Sequence, residues 1–253
     1  MSGAATGSIL AADASADTAA PRHSASVRVT HWVVALCFFA LLLSGVQLVI
    51  SHPRFYWGEE GHVLVQPLFT LPIPASRPFV PTGYDFVLPD QNGWSRSLHF
   101  QSAWILVFAG LFYVTSGVLT RHFQKELIPR RHDLAWAALS QVIADHLRFK
   151  PPGAGEAWSY NTLQRLSYLG VVFVLFPLMI WTGLAMSPAF TAAFPETVNL
   201  LGGRQSARTI HFFVTLLLSL FLVAHVLMVW LSGFTGRVRA MITGRGDDPT
   251  EVS

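Results

Sequence analysis

The chain has 253 residues, of which 52% are hydrophobic and only 12% carry a formal charge. Soluble domains carry about twice that charged fraction, so the composition excludes an ordinary water-soluble globule. The net charge of +3 does not indicate nucleic-acid binding, because the basic residues lie between apolar runs and form no patch. The single cysteine, Cys37, excludes a disulfide framework and a cluster of thiolate ligands.

The chain begins with a polar segment and continues with four long apolar runs. Residues 1–27 are rich in Ala, Ser, Thr and Asp and lack the basic and apolar parts of a secretory signal, which predicts a disordered tail. Each apolar run is long enough for the roughly 20 helical residues that cross a bilayer. The sequence therefore predicts an all-α integral membrane protein with a four-helix bundle, and Pro177 is expected to kink the third helix. The predicted spans are 29–51, 97–120, 166–188 and 209–235.

Lysine and arginine are distributed unevenly between the two sides of this bundle. The first tail, the 121–165 connection and the last tail hold twelve of the seventeen, and the other two connections hold five. The positive-inside rule therefore predicts cytoplasmic termini, a cytoplasmic loop at 121–162 and a cytoplasmic tail at 236–253. Apolar residues at helical spacing over 133–149 predict an amphipathic helix on the membrane surface.

The first outer connection, at 52–96, is long and rich in proline and aromatic residues. Such a composition favours an ordered periplasmic cap or docking surface over a flexible linker. An interfacial belt of Trp and Tyr is the alternative, and composition alone does not choose between the two.

Four of the ten histidines lie within the predicted spans: His31, His99, His211 and His225. No Asp, Glu, Lys or Arg accompanies them there, which excludes a buried ion pair. The absence of carboxylates at this depth also argues against a proton relay or a metal-transport pathway. What remains is imidazole used as a neutral ligand.

The order of the spans places these histidines in two layers. His211 and His225 are 14 residues apart on one helix, which separates them by about 21 Å along the axis and about 40° around it. The inside–outside–inside path puts His31 at the depth of His225, and His99 at the depth of His211. Two imidazoles from different helices at one depth are what a bis-histidine haem b requires. Two such haems, with both axial positions filled, indicate electron transfer across the membrane.

Arginines and glycines recur at fixed offsets from these histidines. Arg28, Arg96 and Arg208 each precede a histidine by three residues, which puts both side chains on one helix face. A haem propionate is expected to reach these guanidinium groups, although ordinary snorkelling arginines are an alternative. Gly45 and Gly117 lie on the faces of His31 and His99 at the depth of the opposite haem. They predict either close packing on the ring or ordinary helix packing.

The motifs resemble those of the bacterial cytochrome b561 and nickel-iron hydrogenase-type di-haem cytochrome b family. The resemblance covers about 25–235 and rests on HFFVTLLLSLFLVAH in the fourth span, RVTHW in the first and RSLHF in the second. It implies a di-haem domain over 28–235, with His31 and His225 as ligands of the inner haem and His99 and His211 as ligands of the outer one. It also implies a location in the bacterial inner membrane.

Members of this family pass electrons between the quinone pool and a partner enzyme, often a metal-cofactor protein on the outer face. The long 52–96 connection favours a subunit that docks such a partner, for example a molybdopterin oxidoreductase. Three alternatives stay open at this point: a stand-alone quinol oxidase of the cytochrome b561 type, a histidine-based metal-ion carrier and a haem-free membrane anchor. The sequence also leaves open whether the bundle forms a homo-oligomer.

Overall fold

The computed structural model describes residues 24–62, 64–73, 93–121, 123 and 162–244. Within these ranges four helices are long and apolar enough to cross a membrane, which confirms the four predicted spans. In chain order the elements are α1 (Ala25–Ser51), β1 (Arg54–Phe55), β2 (Phe69–Thr70), α2 (Trp94–Leu119), α3 (Thr162–Gly170), a π-helical turn (Val171–Leu175), α4 (Phe176–Ala185), α5 (Pro188–Ala193), α6 (Pro195–Asn199), α7 (Arg204–Leu231) and α8 (Phe234–Thr243).

The spanning helices begin one to five residues before the predicted starts, because polar residues at their ends still have helical geometry. Helix α1 begins at Ala25, where the Ser24 hydroxyl accepts a hydrogen bond from the backbone N–H of Val27 at 3.4 Å. Residues 25–27 therefore belong to α1, although the sequence assigns them to the tail. Residues 1–23 of that tail and the predicted amphipathic helix at 133–149 lie outside the described residues.

The third span, Arg165–Ala185, changes its helical pitch in the middle. The π-helical turn Val171–Leu175 joins α3 to α4, and the N–H of Phe176 donates to the carbonyl of Val171. Pro177 follows at the second position of α4, where its missing N–H is tolerated. A π-helical turn shifts the azimuth of every later residue, so it sets which face of α4 meets α7.

The four spans pack as two helix pairs, α1 with α2 and α4 with α7. The most buried side chains between them are small or hydroxylated, among them Ser44, Ser102 and Thr182. Large apolar side chains such as Leu36 and Leu220 point away from the bundle and are exposed. This arrangement suits a lipid environment, in which close helix packing depends on small residues and the outer surface is apolar.

The described part of the first outer connection, 52–62 and 64–73, folds over the start of α7. Its strands β1 and β2 pair antiparallel, with Phe55 opposite Phe69. Thr209 on α7 donates to the carbonyl of Tyr56 at 2.7 Å, and both residues are buried. We call this segment the cap.

The cap also satisfies the free backbone N–H groups at the N-terminus of α7. Arg204 N donates to the Glu59 carboxylate at 2.8 Å, and Gln205 N donates to the Gly58 carbonyl at 3.0 Å. Gly203, which precedes α7, has φ +106° and lies so close to Gly58 that a Cβ would clash with its carbonyl. The cap therefore supplies the N-capping groups that the local sequence of α7 lacks.

At the opposite end of the bundle, α8 folds back onto the start of α1. The Arg28 guanidinium donates through Nη1 to the carbonyl of Ile242 at 2.9 Å, and Trp32 Nε1 donates to the carbonyl of Met241 at 3.2 Å. The chain reverses at Gly233, whose φ is +92°. This contact ties both chain ends of the bundle together.

Candidate functional site

The four histidines of the spans lie in two layers. His99 of α2 and His211 of α7 form the layer nearer the cap, which we call the outer layer; their ring centres are 6.3 Å apart with an interplanar angle of 56°. His31 of α1 and His225 of α7 form the inner layer, with ring centres also 6.3 Å apart and an angle of 53°. The structure thus brings together the same pairs that the sequence predicts.

The ring separation can be compared with that of a bis-imidazole metal site. Two imidazoles on opposite sides of one metal ion have centres about 6 Å apart, because each metal–nitrogen bond is about 2 Å and each nitrogen lies about 1.1 Å from its ring centre. Both layers match this value, although they share only α7. The residues present therefore fit a metal held between two imidazoles in each layer.

The outer layer holds its imidazoles through hydroxyl groups. Ser44 Oγ lies 3.0 Å from His99 Nδ1, and Thr182 Oγ1 lies 2.9 Å from His211 Nδ1. Each hydroxyl proton is already donated to a backbone carbonyl one turn back, of Ala40 at 2.7 Å and of Leu178 at 2.8 Å. The hydroxyl oxygens must therefore accept from Nδ1–H, which leaves the lone pair on Nε2. This is the tautomer that a metal ligand needs.

A glycine follows each of these hydroxyl residues and lies against the same imidazole. A Cβ on Gly45 would lie 3.6 Å from His99 Cε1, and a Cβ on Gly183 would lie 3.5 Å from His211 Cε1. The two outer histidines are therefore seated in the same way on different helices, with a hydroxyl on Nδ1 and a glycine backbone against Cε1.

The sequence analysis missed Ser44, Thr182 and Gly183. A signal for them exists, because Ser44–Gly45 and Thr182–Gly183 are matching dipeptides inside apolar runs. Neither dipeptide indicates by itself which imidazole it meets. That depends on how each helix is rotated in the bundle, which for Thr182–Gly183 on α4 is set by the π-helical turn.

The described contacts of the inner layer are mainly with aromatic rings. His31 packs edge-on against Trp32 at 5.1 Å. His225 lies nearly parallel to Phe221 at 5.9 Å and edge-on to Tyr168 at 6.2 Å. Tyr168 occupies the position of the third span where the other three spans carry histidine, and it contributes a ring contact to the layer.

The three predicted propionate arginines occupy different environments. Arg28 donates through Nη1 to α8, while its Nε is buried and has no hydrogen-bond partner among the described residues. Arg208 donates to the backbone carbonyl of His52, and its guanidinium lies 5.0 Å above the ring of Phe55. Arg96 is exposed at the start of α2. The buried Nε of Arg28 is suited to an anionic group in the inner layer.

The two predicted packing glycines differ in what they meet. Gly45 faces the His99 imidazole, as described above. Gly117 is buried against the ring of Phe123, which a Cβ would clash with. In the described structure Gly117 therefore makes room for an aromatic side chain, and its role in haem packing stays a prediction.

Among the described residues, each layer offers two histidine ligands. Across the described ranges, no group of three or more His, Cys, Asp or Glu side chains is placed to hold a metal ion. Two ligands on opposite sides suit an iron whose other four positions are supplied by a porphyrin. A four-helix membrane bundle with such sites defines a transmembrane electron-transfer protein.

Sequence comparison agrees with this class. Residues 22–244 match the family model described as prokaryotic cytochrome b561, so the chain belongs to that family, whose cofactor is haem b. The chain is also 28% identical over 227 residues to the putative protein-methionine-sulfoxide reductase subunit YedZ1 of Azospira oryzae, which covers 88% of this chain and 96% of that protein. No solved structure matches the chain.

Proposed function

We propose that the chain binds two haems b, one between His99 and His211 and one between His31 and His225. The observation that supports this most directly is the ring separation of 6.3 Å in both layers. The imidazoles come from three different helices, so the equal ring separations in the two layers do not follow from the local geometry of one helix. In the outer layer, the hydroxyl groups that accept from Nδ1–H also select the tautomer whose Nε2 lone pair is available to a metal.

A haem b with two histidine ligands supplies one-electron chemistry without an open coordination site. Hydroxyl groups orient the outer imidazoles and aromatic rings pack against the inner ones, and helix α7 contributes one ligand to each layer. The offset of 14 positions from His211 to His225 corresponds to about 21 Å along the helix axis. One continuous helix therefore fixes the spacing of the two layers, which suits electron transfer across the bilayer.

We further propose that electrons pass between the quinone pool and a periplasmic oxidoreductase subunit that depends on molybdopterin. The name of the Azospira relative, a reductase subunit, supports a role within a complex. The distribution of basic residues supports cytoplasmic termini in a bacterial inner membrane. The cap then lies on the periplasmic side, above the outer layer, where a partner would dock.

The cofactor content of the purified chain tests the first part of the proposal. We expect two haems b per chain by pyridine haemochrome analysis, and a reduced-minus-oxidised spectrum typical of cytochrome b. A content near one haem would contradict the two-layer assignment. Bound zinc or copper without a Soret band would instead support the metal-ion carrier, and full function with all four histidines replaced by alanine would support a haem-free anchor.

Copurification tests the second part. Purification of the tagged chain from its native membrane in mild detergent should retain a periplasmic molybdopterin subunit, detected by its metal content. In that preparation, added quinol should reduce the haems, and the partner subunit should reoxidise them. A chain that purifies alone and turns over quinol with a small acceptor would be a stand-alone quinol oxidase.

A further inference from the structure

Helix α8 runs from the end of α7 to the start of α1, at the end of the bundle next to the inner layer, which we call the inner end. Its first residue follows α7 after the chain reversal. Two carbonyl groups in its last turn are held by α1, because Arg28 donates to Ile242 and Trp32 donates to Met241. The side of α8 that faces the protein is therefore fixed.

The two faces of α8 have different surroundings. Ala240 is buried, whereas Phe234 and Ile242 are 49% and 60% exposed. At about 100° per residue, the two exposed side chains lie about 120° and about 160° around the axis from Ala240. An apolar stripe on the face turned away from the protein is typical of a helix at a membrane interface.

The depth of the inner end follows from helical rise. The two layers are about 21 Å apart and a hydrocarbon core is about 30 Å thick, so each layer of a centred bundle lies about 5 Å inside the boundary of that core. Arg28 lies one turn inward of the inner layer, and Arg96 and Arg208 lie one turn outward of the outer layer. Arginines at both boundaries agree with this centring, because their guanidinium groups reach the headgroups.

Helix α8 lies just outside the inner boundary. The last residue of α7, Leu231, is six positions and about 9 Å past His225. Helix α8 starts beyond it and ends beside Arg28 and Trp32, within about one turn of His31. It therefore returns from the headgroup region to the edge of the hydrocarbon core.

Two arginines flank the apolar stripe of α8. By helical position, Arg237 lies about 60° from Phe234 on one side. Arg239, which is exposed, lies about 60° from Ile242 on the other side. Arg237 Nε donates to the carbonyl of Ser232 at 3.2 Å, which keeps this guanidinium beside the end of α7. Arginines in such positions extend toward headgroup phosphates while their stems cover apolar surface.

The charges at the two ends of the bundle are unequal. Among the described residues, the inner end carries no Asp or Glu, and its basic residues are Arg28, Arg121, Arg165, Arg237 and Arg239. The described carboxylates all lie at the opposite end, on Glu59, Glu60 and Glu196. An anionic phospholipid offers the net negative charge that complements the inner end, whereas the phosphate of a zwitterionic lipid is already balanced within its headgroup.

We propose that α8 is a membrane-surface helix whose Arg237 and Arg239 bind the headgroups of anionic phospholipids. The apolar stripe enters the edge of the hydrocarbon core, and the arginines meet phosphates on both sides of the stripe. The proposal rests on the position and contacts of α8 and does not depend on the haem assignment.

The proposal is tested in the full chain, reconstituted into phosphatidylcholine vesicles with a fluorescent label on α8. Thr235→Cys supplies the labelling site, because Thr235 is exposed on the same side as the stripe, and Cys37→Ala removes the native thiol. The quencher is a lipid with a nitroxide near its headgroup, either phosphatidylglycerol or phosphatidylcholine, at equal mole fraction. The ratio of the two quenching efficiencies reports the enrichment of the anionic lipid beside α8.

Phosphatidylglycerol should be enriched at the label about five-fold for each arginine that binds it. Arg239→Gln alone should lower the enrichment about five-fold, and its exposed position leaves the fold intact. Arg237→Gln combined with Arg239→Gln should abolish the preference. The matched control is Arg121→Gln, which removes an exposed guanidinium from the inner end of α2 and should leave the preference unchanged. Raising the ionic strength to about 1 M should weaken it, because the Debye length falls to about 3 Å.

Equal quenching by the two lipids in the unchanged chain would overturn the proposal. So would a preference for phosphatidylglycerol that survives in the double variant, because other groups would then select the lipid. A label that neither lipid quenches would place α8 against water or another protein, which contradicts the proposal as well.

Discussion

The two histidine layers have the same ring separation but are supported differently. In the outer layer, hydroxyl groups of α1 and α4 accept from Nδ1 of both imidazoles, and glycine backbones lie against Cε1. In the inner layer, aromatic rings pack around the imidazoles and α8 is tied to the start of α1. A hydrogen bond on Nδ1 selects the tautomer and raises the basicity of the ligating nitrogen, whereas ring packing fixes orientation only. In the outer layer the tautomer of both imidazoles is therefore fixed by hydroxyl groups.

Removing one ligand from each layer is the strongest test of their independence. We expect His211→Ala to lose the outer haem and retain the inner one, and His225→Ala to do the reverse, because each layer has its own pair of imidazoles. Haem content should fall from two to one per chain. The redox titration of each variant should then show one midpoint potential, and the two variants should lack different ones. Loss of both haems from a variant whose helical content is unchanged would show that the layers form a single unit.

Removing a hydroxyl from the outer layer should have the next largest effect. Thr182→Val keeps the shape of the side chain but removes the acceptor for His211 Nδ1–H. The outer haem should then bind about 10- to 100-fold more weakly. Its midpoint potential should rise, by up to about 60 mV for a tenfold difference between oxidation states, because a less basic imidazole stabilises ferric iron less.

The matched control for this change is Thr120→Val at the end of α2. The Thr120 hydroxyl makes the same bond to a carbonyl four residues back, of Ser116 at 2.7 Å. It is exposed and outside both layers, so its loss should leave both midpoint potentials unchanged. Equal potentials in Thr182→Val and the unchanged chain would mean that the hydroxyl does not tune the outer ligand.

A smaller effect is expected where α8 meets the inner layer. Trp32→Phe removes the hydrogen bond to the Met241 carbonyl but keeps a ring beside His31. Loss of one such bond should destabilise this contact by about 1 kcal/mol. We expect slightly faster proteolysis of the C-terminal segment and a small shift in the inner haem potential only. A shift confined to the outer haem would argue against the two separate environments.

The smallest effect is expected for Gly45→Ala. The added methyl would lie at ordinary contact distance from His99, and alanine favours a helix over glycine by up to about 1 kcal/mol. Haem content should therefore remain at two, with unchanged or slightly higher thermal stability. Loss of the outer haem from this variant would place the porphyrin itself, and not the imidazole, against Gly45.

Much of this architecture was predictable because the bilayer imposes strong constraints. Apolar runs of sufficient length have to be helices in lipid, so the four spans follow from composition alone. Once their alternating direction is known, residue counting places His31 with His225 and His99 with His211. The structure brings these pairs together, and membership of the cytochrome b561 family agrees with the motifs that the sequence shows.

Other features depended on which helix faces meet. The sequence does not indicate that Ser44 would reach His99 or that Thr182 would reach His211, because helix azimuth in a bundle is set by packing against neighbours, and in α4 by the π-helical turn before Pro177. For the same reason, the facing of Gly117 toward Phe123 could not be predicted from its offset to His99.

By itself, the sequence determined the membrane-spanning helices and the relative depth of each histidine, since these follow from hydrophobic length and helical rise. The side of the membrane that the termini face stays a prediction from the charge distribution. Only the tertiary structure decided how the imidazoles are held, how the cap closes the start of α7 and how α8 returns to α1. Depth along a helix is a local property of the chain. The neighbours around a helix are decided by contacts between residues up to about two hundred positions apart, such as Arg28 with Ile242.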